Sequence, residues 1–281
     1  MPKLKHALKF LKVGLLAKPP STSFKKKCCR DVADNFDANF GLVAGIGVLP
    51  GFTYWTAMNW IEAGDEAKRK IVGNHPMPKN PQTIQKIGML SRELIAQKMN
   101  IGRDAQVEYI VECTSTFEDF ISYSEYLHGV VEGMLRSIIV QAWGTFEVLA
   151  EDLFTESLNQ NQASFGFLKG NEKWRFRSRS AIRDCYKTAF PMDNASIKAA
   201  LDHEAIDALA LLRNVLVHKG GRADKEFLNE AKKLSLLAPF HALREAEPVN
   251  LDGEIVLSIV DPAMFASHAL IVAVDEWLTT H

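Results

Sequence analysis

Arg213, Asn214 and His218 are the residues of this chain whose types and spacing are best suited to chemistry. Asn214 and His218 are four residues apart, which places them on one face of a helix, about one turn from each other. Arg213 lies about 140° away from His218 around the helix axis, but its long side chain reaches back to the same helix end. The sequence therefore predicts a site that combines a fixed cation, an amide and a titratable imidazole.

These three groups suit the cleavage of an RNA phosphodiester without a metal. Cleavage needs a base for the 2′-hydroxyl proton, an acid for the 5′-oxygen and a cation at the phosphorane. Histidine acts as base or acid near neutral pH, and the planar arginine fork matches phosphate oxygens. Asn214 is expected to orient the imidazole or to donate to a phosphate oxygen. Since one chain supplies one imidazole here, the arrangement predicts a homodimer with a shared cleft.

The same three residues also have a purely structural interpretation. Basic side chains are common at helix C-termini, because they complement the terminal carbonyl groups. In that case Arg213 pairs with a carboxylate and His218 caps the helix. Spacing alone leaves the catalytic and the structural interpretation open.

Hydrophobic periodicity predicts the elements that position the site. The helix that carries it is predicted over residues 204–217, and Gly220-Gly221 is expected to end it. Apolar residues at three- and four-residue steps predict further helices; these cover residues 82–99, 129–159, 197–201, 223–234 and 263–279, with a weaker candidate at 103–120. Pro262 is expected to open the last of them. Residues 249–260 are predicted as a β-hairpin around Asp252-Gly253.

The first 81 residues have a different character. Residues 1–38 are predicted as a basic arm, with nine lysines and arginines before the first acid, Asp31. Residues 39–61 lack charge, but Pro50-Gly51 predicts a turn between two short apolar elements, so no stable membrane insertion is expected. The alternatives are a surface-binding amphipathic helix within residues 1–30 and membrane association through residues 39–61. The proline-rich stretch at 74–81 predicts a linker, which leaves a helical domain over residues 82–281.

Composition limits the class of protein. With 47% apolar and 24% charged residues, the chain is globular, and its net charge of −1 excludes a globally basic nucleic-acid binder but not a local basic patch. Four cysteines without metal-ligand spacing predict a reducing, cytoplasmic compartment, and neither a metal nor another cofactor is predicted.

Residues 169–187 form a basic segment in which Trp174 and Phe176 alternate with arginines. Basic side chains would bind phosphates and the aromatic rings would stack on unpaired bases; the alternative is a solvated face whose rings anchor it to the core. The candidate RNA-binding residues are Lys173, Arg175, Arg177, Arg179, Arg183 and Lys219. Tyr186 is a further candidate for a phosphate contact.

The motif Arg213-Asn214-x-x-x-His218, followed by Gly220-Gly221 and Asp224, resembles the signature of the HEPN (higher eukaryotes and prokaryotes nucleotide-binding) superfamily. The upstream helix with Trp143-x-x-Phe146-Glu147 is similar to an early core helix of that family. The resemblance covers residues 120–281 and implies a mainly α, HEPN-type helical bundle, here with a small C-terminal β-hairpin and an N-terminal extension.

The resemblance also implies an activity. Relatives with the intact motif are metal-independent endoribonucleases of toxin–antitoxin, phage-defence or RNA-processing systems, and internal attack by the 2′-oxygen leaves 2′,3′-cyclic phosphate ends. The implied partners are RNA, a second copy of the chain and an antitoxin protein, and Glu147 is implied as a partner of Arg213. Other relatives are non-catalytic dimerisation or binding modules for protein or nucleic acid, which is the alternative function.

Overall fold

The computed structural model describes residues 22–99, 125–160, 176 and 178–281. These ranges fold into α-helices, which we number in chain order: α1 Lys27–Val72, α2 Pro81–Met99, α3 Glu125–Gln160, α4 Arg179–Ala189, α5 Ala195–Leu201, α6 Glu204–His218, α7 Lys225–Ala231 and α8 Gly253–Thr280. A 3₁₀ helix, Ser235–Phe240, lies between α7 and α8. The β-type pairing in these ranges is one isolated bridge between Arg222 and Pro248. The prediction of a mainly α fold is therefore confirmed.

The chain divides into two compact units. Among the described residues, the first unit comprises 48–99 and 125–128, and the second comprises 22–47, 129–160, 176 and 178–281. α1 contributes to both units. Because this helix spans Lys27–Val72, the boundary predicted between residues 38 and 39 falls inside it. Residues 27–38, predicted as part of a basic arm, form the start of α1 instead.

Most predicted helices are present within a few residues of their predicted limits. The patterns at 82–99, 129–159, 197–201 and 204–217 correspond to α2, α3, α5 and α6. The pattern at 223–234 gives the shorter helix α7. The weaker candidate at 103–120 lies outside the described residues.

The β-hairpin predicted at 249–260 is wrong. Gly253 starts α8, and the Oδ1 atom of Asp252 accepts a hydrogen bond from the Ile255 N–H at 2.8 Å, so the aspartate caps a helix instead of forming a turn. The β-branched residues Val256, Ile259 and Val260 that suggested a strand form its buried face. Pro262 lies inside α8 and does not open it. A proline removes one backbone hydrogen bond from a helix, and the extensive packing of α8 outweighs this loss.

The turn predicted at Pro50-Gly51 is also wrong, since α1 continues through both residues. Within the first unit, small residues of α1 allow α2 to pack closely, with Ala63 and Ala67 of α1 buried against Ile87, Leu94 and Ile95 of α2.

The second unit has its core around α8, which packs against α5 and α6. The predicted apolar stripe of α3 is buried there, including Leu135, Ile138 and Phe146. By length and composition, α8 could cross a membrane, and so could α1 if its segments Lys27–Gly47 and Leu49–Val72 formed one span; no other helix in the described ranges passes this test. In α8, however, 56% of the apolar window is buried inside the protein, as in the core helix of a folded domain.

Candidate functional site

The candidate site lies at the C-terminal end of α6. This helix is fixed along one face by buried apolar residues, including Leu209, Leu212 and Val215. Its last turn closes when the Val215 carbonyl accepts hydrogen bonds from the backbone N–H groups of Lys219 at 3.1 Å and Gly221 at 3.0 Å. Gly220 and Gly221 have φ values of +60° and +73°, which glycine adopts without steric cost. The predicted glycine stop is confirmed.

Arg213, Asn214 and His218 meet at this helix end. The Nη1 atom of Arg213 lies 2.8 Å from Nε2 of His218 and donates a hydrogen bond to Oδ1 of Asn214 at 3.1 Å. Asn214 and His218 are exposed and Arg213 is half-buried. The three side chains therefore form one accessible cluster, with the geometry that their spacing predicts.

The contact between Arg213 and His218 joins a donor to a ring nitrogen. A guanidinium group can only donate hydrogen bonds, so Nε2 of His218 is the acceptor in this contact. In the described part of the chain, Arg213 forms no ion pair with a carboxylate. Its charge is therefore available to an anion that approaches the cluster.

Lys219 lies next to this cluster and is a candidate RNA-binding residue that the structure describes. Its side chain already forms an ion pair within the protein. Its Nζ atom lies 3.0 Å from Oδ2 of Asp224. Asp224 also caps α7 by accepting the Phe227 N–H at 2.8 Å. The hydrogen bond from Phe227 and the contact with Lys219 lower the pKa of Asp224. The charge of Lys219 is thus partly compensated within the protein.

Arg183, a candidate RNA-binding residue, is engaged in contacts within the protein. Its guanidinium donates to the Leu201 carbonyl at 2.7 and 3.1 Å and contacts carboxylate oxygens of Asp202 and Asp207, each at 2.8 Å. Arg179 also pairs with Asp207, at 2.9 Å. Both arginines therefore join α4 to the start of α6, and their charges are balanced.

The aromatic residues of the basic segment follow the structural interpretation where they are described. Phe176 is buried and packs edge-on against Phe154, with ring centroids 5.2 Å apart. Tyr186 is fully buried and donates its hydroxyl to the Ala150 carbonyl at 2.9 Å, so it cannot contact a phosphate. Lys173, Trp174, Arg175 and Arg177 lie outside the residues whose side chains are described.

Glu147, which the resemblance implies as a partner of Arg213, is half-buried on α3. No hydrogen bond or ion pair joins it to Arg213 among the described residues.

A residue that the sequence analysis missed lies against the glycine stop. Arg136 of α3 packs on Gly221 so closely that a Cβ atom there would lie 2.7 Å from its Nη1 atom. The only sequence signal was its i,i+4 spacing from Glu132 on one face of α3, which is common on helix surfaces and does not point to a site.

A cleft of about 530 Å³ lies elsewhere in the second unit. It is bordered by α4 and α5, and its polar lining includes Lys187, Asn194 and Lys198. Leu201 and Asp202 place it near the beginning of α6 and not near His218. The cleft is therefore separate from the cluster.

Three further histidines of the second unit contact other parts of the protein. His203 caps α6 by accepting the Ala205 N–H at 3.2 Å, and Nε2 of His241 contacts the carbonyl oxygens of Ala231 and Leu234. His268 is buried beside Phe24. The described residues contain no group of three or more histidine, cysteine or acidic side chains arranged to hold a metal ion.

Comparison of the chain with protein-family models, with curated proteins and with solved structures finds no match. The interpretation of the site therefore depends on its geometry and chemistry.

Proposed function

We propose that this protein is a metal-independent endoribonuclease of the HEPN type, which acts in the cytoplasm as a toxin or phage-defence effector. The observation that carries the proposal is the 2.8 Å contact between Arg213 Nη1 and His218 Nε2 at an exposed helix end. A guanidinium that forms no ion pair among the described residues, beside an accessible imidazole, supplies the cation and the base that phosphodiester cleavage by internal attack requires.

The contact suggests how substrate binding starts the reaction. When a phosphate arrives, the Arg213 guanidinium transfers its N–H donors from the imidazole to the phosphate oxygens, a geometry its fork suits well. Nε2 of His218 is then free to accept the 2′-hydroxyl proton. The 2′-oxygen attacks phosphorus, the bond to the 5′-oxygen breaks, and a 2′,3′-cyclic phosphate forms. Asn214 holds the guanidinium through its 3.1 Å hydrogen bond.

The leaving 5′-oxygen needs a proton from a second group. Each chain supplies one imidazole to the site, so we assign this role to His218 of a second copy across a shared cleft. A homodimer is therefore part of the proposal. An antitoxin protein that covers the exposed cluster is the further partner that the toxin role requires.

The proposal is tested by incubating purified protein with single-stranded RNA in EDTA. We expect cleavage by the wild-type protein and its loss in His218→Ala. The matched control is His75→Ala, which removes an exposed imidazole from the first unit and should cleave as the wild type does. Circular dichroism checks that both variants are folded.

Undiminished cleavage by a folded His218→Ala protein would contradict the assignment. RNA binding without cleavage by the wild-type protein would instead favour the non-catalytic dimerisation and binding module.

A further inference from the structure

Arg136 occupies the space that a side chain at position 221, just after α6, would take. A Cβ atom at Gly221 would lie 2.7 Å from Nη1 and 3.1 Å from Cζ of Arg136. Real Cβ atoms are not found at the shorter distance, so only a glycine at position 221 lets the guanidinium occupy this place. A Cβ atom at Gly220 would have no neighbouring atom within 4 Å.

The guanidinium of Arg136 is oriented but not saturated. Its Nη2 atom pairs with Oε1 of Glu132 at 2.6 Å, one turn earlier on α3, and 32% of its side chain is exposed. Its Nε atom is buried and has no hydrogen-bond partner among the described residues. An RNA strand reaches only the exposed part of this guanidinium, because a buried donor is closed to it.

This guanidinium belongs to the same helix end as the Arg213–His218 pair. The Gly221 N–H bonds to the Val215 carbonyl at 3.0 Å, which places Gly221 beside the last turn of α6. The carbonyl groups of a helix C-terminus repel anions, so a phosphate needs several cations there. Lys219 is paired with Asp224 at 3.0 Å, and Arg136 is paired with Glu132 at 2.6 Å through Nη2 alone, with 32% of its side chain exposed. Arg136 therefore places a second guanidinium group beside this helix end, in addition to that of Arg213.

We propose that Arg136 binds a backbone phosphate of the RNA strand held at the end of α6, and that the missing side chain of Gly221 leaves room for its guanidinium. The inference rests on the proposed function for its substrate class and adds a binding residue to the same site. Arg136 is a substrate-binding residue that touches a non-bridging phosphate oxygen, and Glu132 sets its orientation.

The test measures the affinity of a fluorescent single-stranded RNA at several salt concentrations, in the His218→Ala background so that the RNA stays intact. Arg136→Gln should raise the dissociation constant roughly tenfold, the value of one charge-assisted contact. It should also reduce the slope of log K against log salt by about 0.7, the value for one phosphate contact on a single strand. Arg92→Gln, on the exposed surface of α2, is the charge-matched control and should change neither quantity.

A second pair of variants separates this role from a structural one. Gly221→Ala and Gly220→Ala place the same methyl group at φ values of +73° and +60°, so both carry similar backbone strain. Only Gly221→Ala displaces the guanidinium, so it alone should lower the salt slope. Adding Arg136→Gln to Gly221→Ala should then cause no further loss.

An unchanged salt slope and affinity in folded Arg136→Gln, or equal effects of the two glycine variants, would overturn the inference. Cleavage by the wild-type protein is scored separately. If cleavage occurs but the slope does not respond to Arg136, this inference alone fails. If the slope responds but no cleavage occurs, the nuclease proposal alone fails, and if the protein neither binds nor cleaves RNA, both are refuted.

Discussion

Replacing Arg183 with glutamine tests whether this residue stabilises the fold or binds RNA. The guanidinium donates twice to the Leu201 carbonyl and contacts Asp202 and Asp207, while 26% of the side chain is exposed. Glutamine is too short to keep these contacts together. The substitution therefore removes the main polar link between α4 and the segment that leads into α6.

The size of the loss follows from these contacts. Hydrogen bonds that involve a charged group contribute about 1.5–3 kcal/mol each when they are buried. The Asp202 pair adds little, because 44% of its side chain is exposed, and Asp207 keeps Arg179 as a partner. We expect the free energy of unfolding to fall by about 2–3 kcal/mol, and the thermal midpoint by about 5–10 °C.

Urea denaturation and a thermal melt measure this loss, and an RNA-binding titration accompanies them. Lys187→Gln, on the exposed face of the same helix, is the control and should change stability by no more than about 0.5 kcal/mol. The folded Arg183→Gln protein should bind RNA with unchanged affinity. Wild-type stability combined with weakened RNA binding would refute this reasoning and restore Arg183 to the RNA-binding surface.

Three other perturbations have defined outcomes. Burial lowers the pKa of His268 against the opposing effect of Asp37. The unfolded chain therefore takes up a proton at a higher pH than the folded protein, and stability should fall as the pH drops below about 6.5. The urea midpoint of His268→Gln should fall less over this range, and an equal fall would contradict this. Asp224→Ala should lose about 1 kcal/mol in urea denaturation with the α7 cap, whereas Asp224→Asn keeps a capping oxygen and should lose much less. Arg213→Lys keeps the charge but not the fork, so RNA cleavage should drop about 100-fold; full activity would argue against a bidentate phosphate contact.

The sequence predicts the helices best where one apolar stripe is long and regular. α3 and α6 follow from residues at three- and four-residue spacing, and Gly220-Gly221 marks the end of α6 because both glycines adopt positive φ. The meeting of Arg213 with His218 is local, since both lie within two turns of one helix. These features depend on neighbours in the chain, which a sequence displays directly.

The features that could not be predicted depend on long-range packing. Asp252-Gly253 is as suitable for a hairpin as for a helix start, and the packing of α8 decides for the helix. Arg183 is predicted as an RNA-binding cation from sequence because its acceptors lie 18 to 24 residues further along the chain, on Leu201, Asp202 and Asp207. Arg136 was missed because it lies against Gly221, a residue far away in the chain.

The most direct test of the central claim is an analysis of the RNA ends that the protein produces in EDTA. If Arg213 and His218 act together at the end of α6, mass spectrometry of wild-type products should show 2′,3′-cyclic phosphate ends, and the His218→Ala reaction should show none. Products with free 3′-hydroxyl ends, or cyclic ends that persist in His218→Ala, would contradict the account.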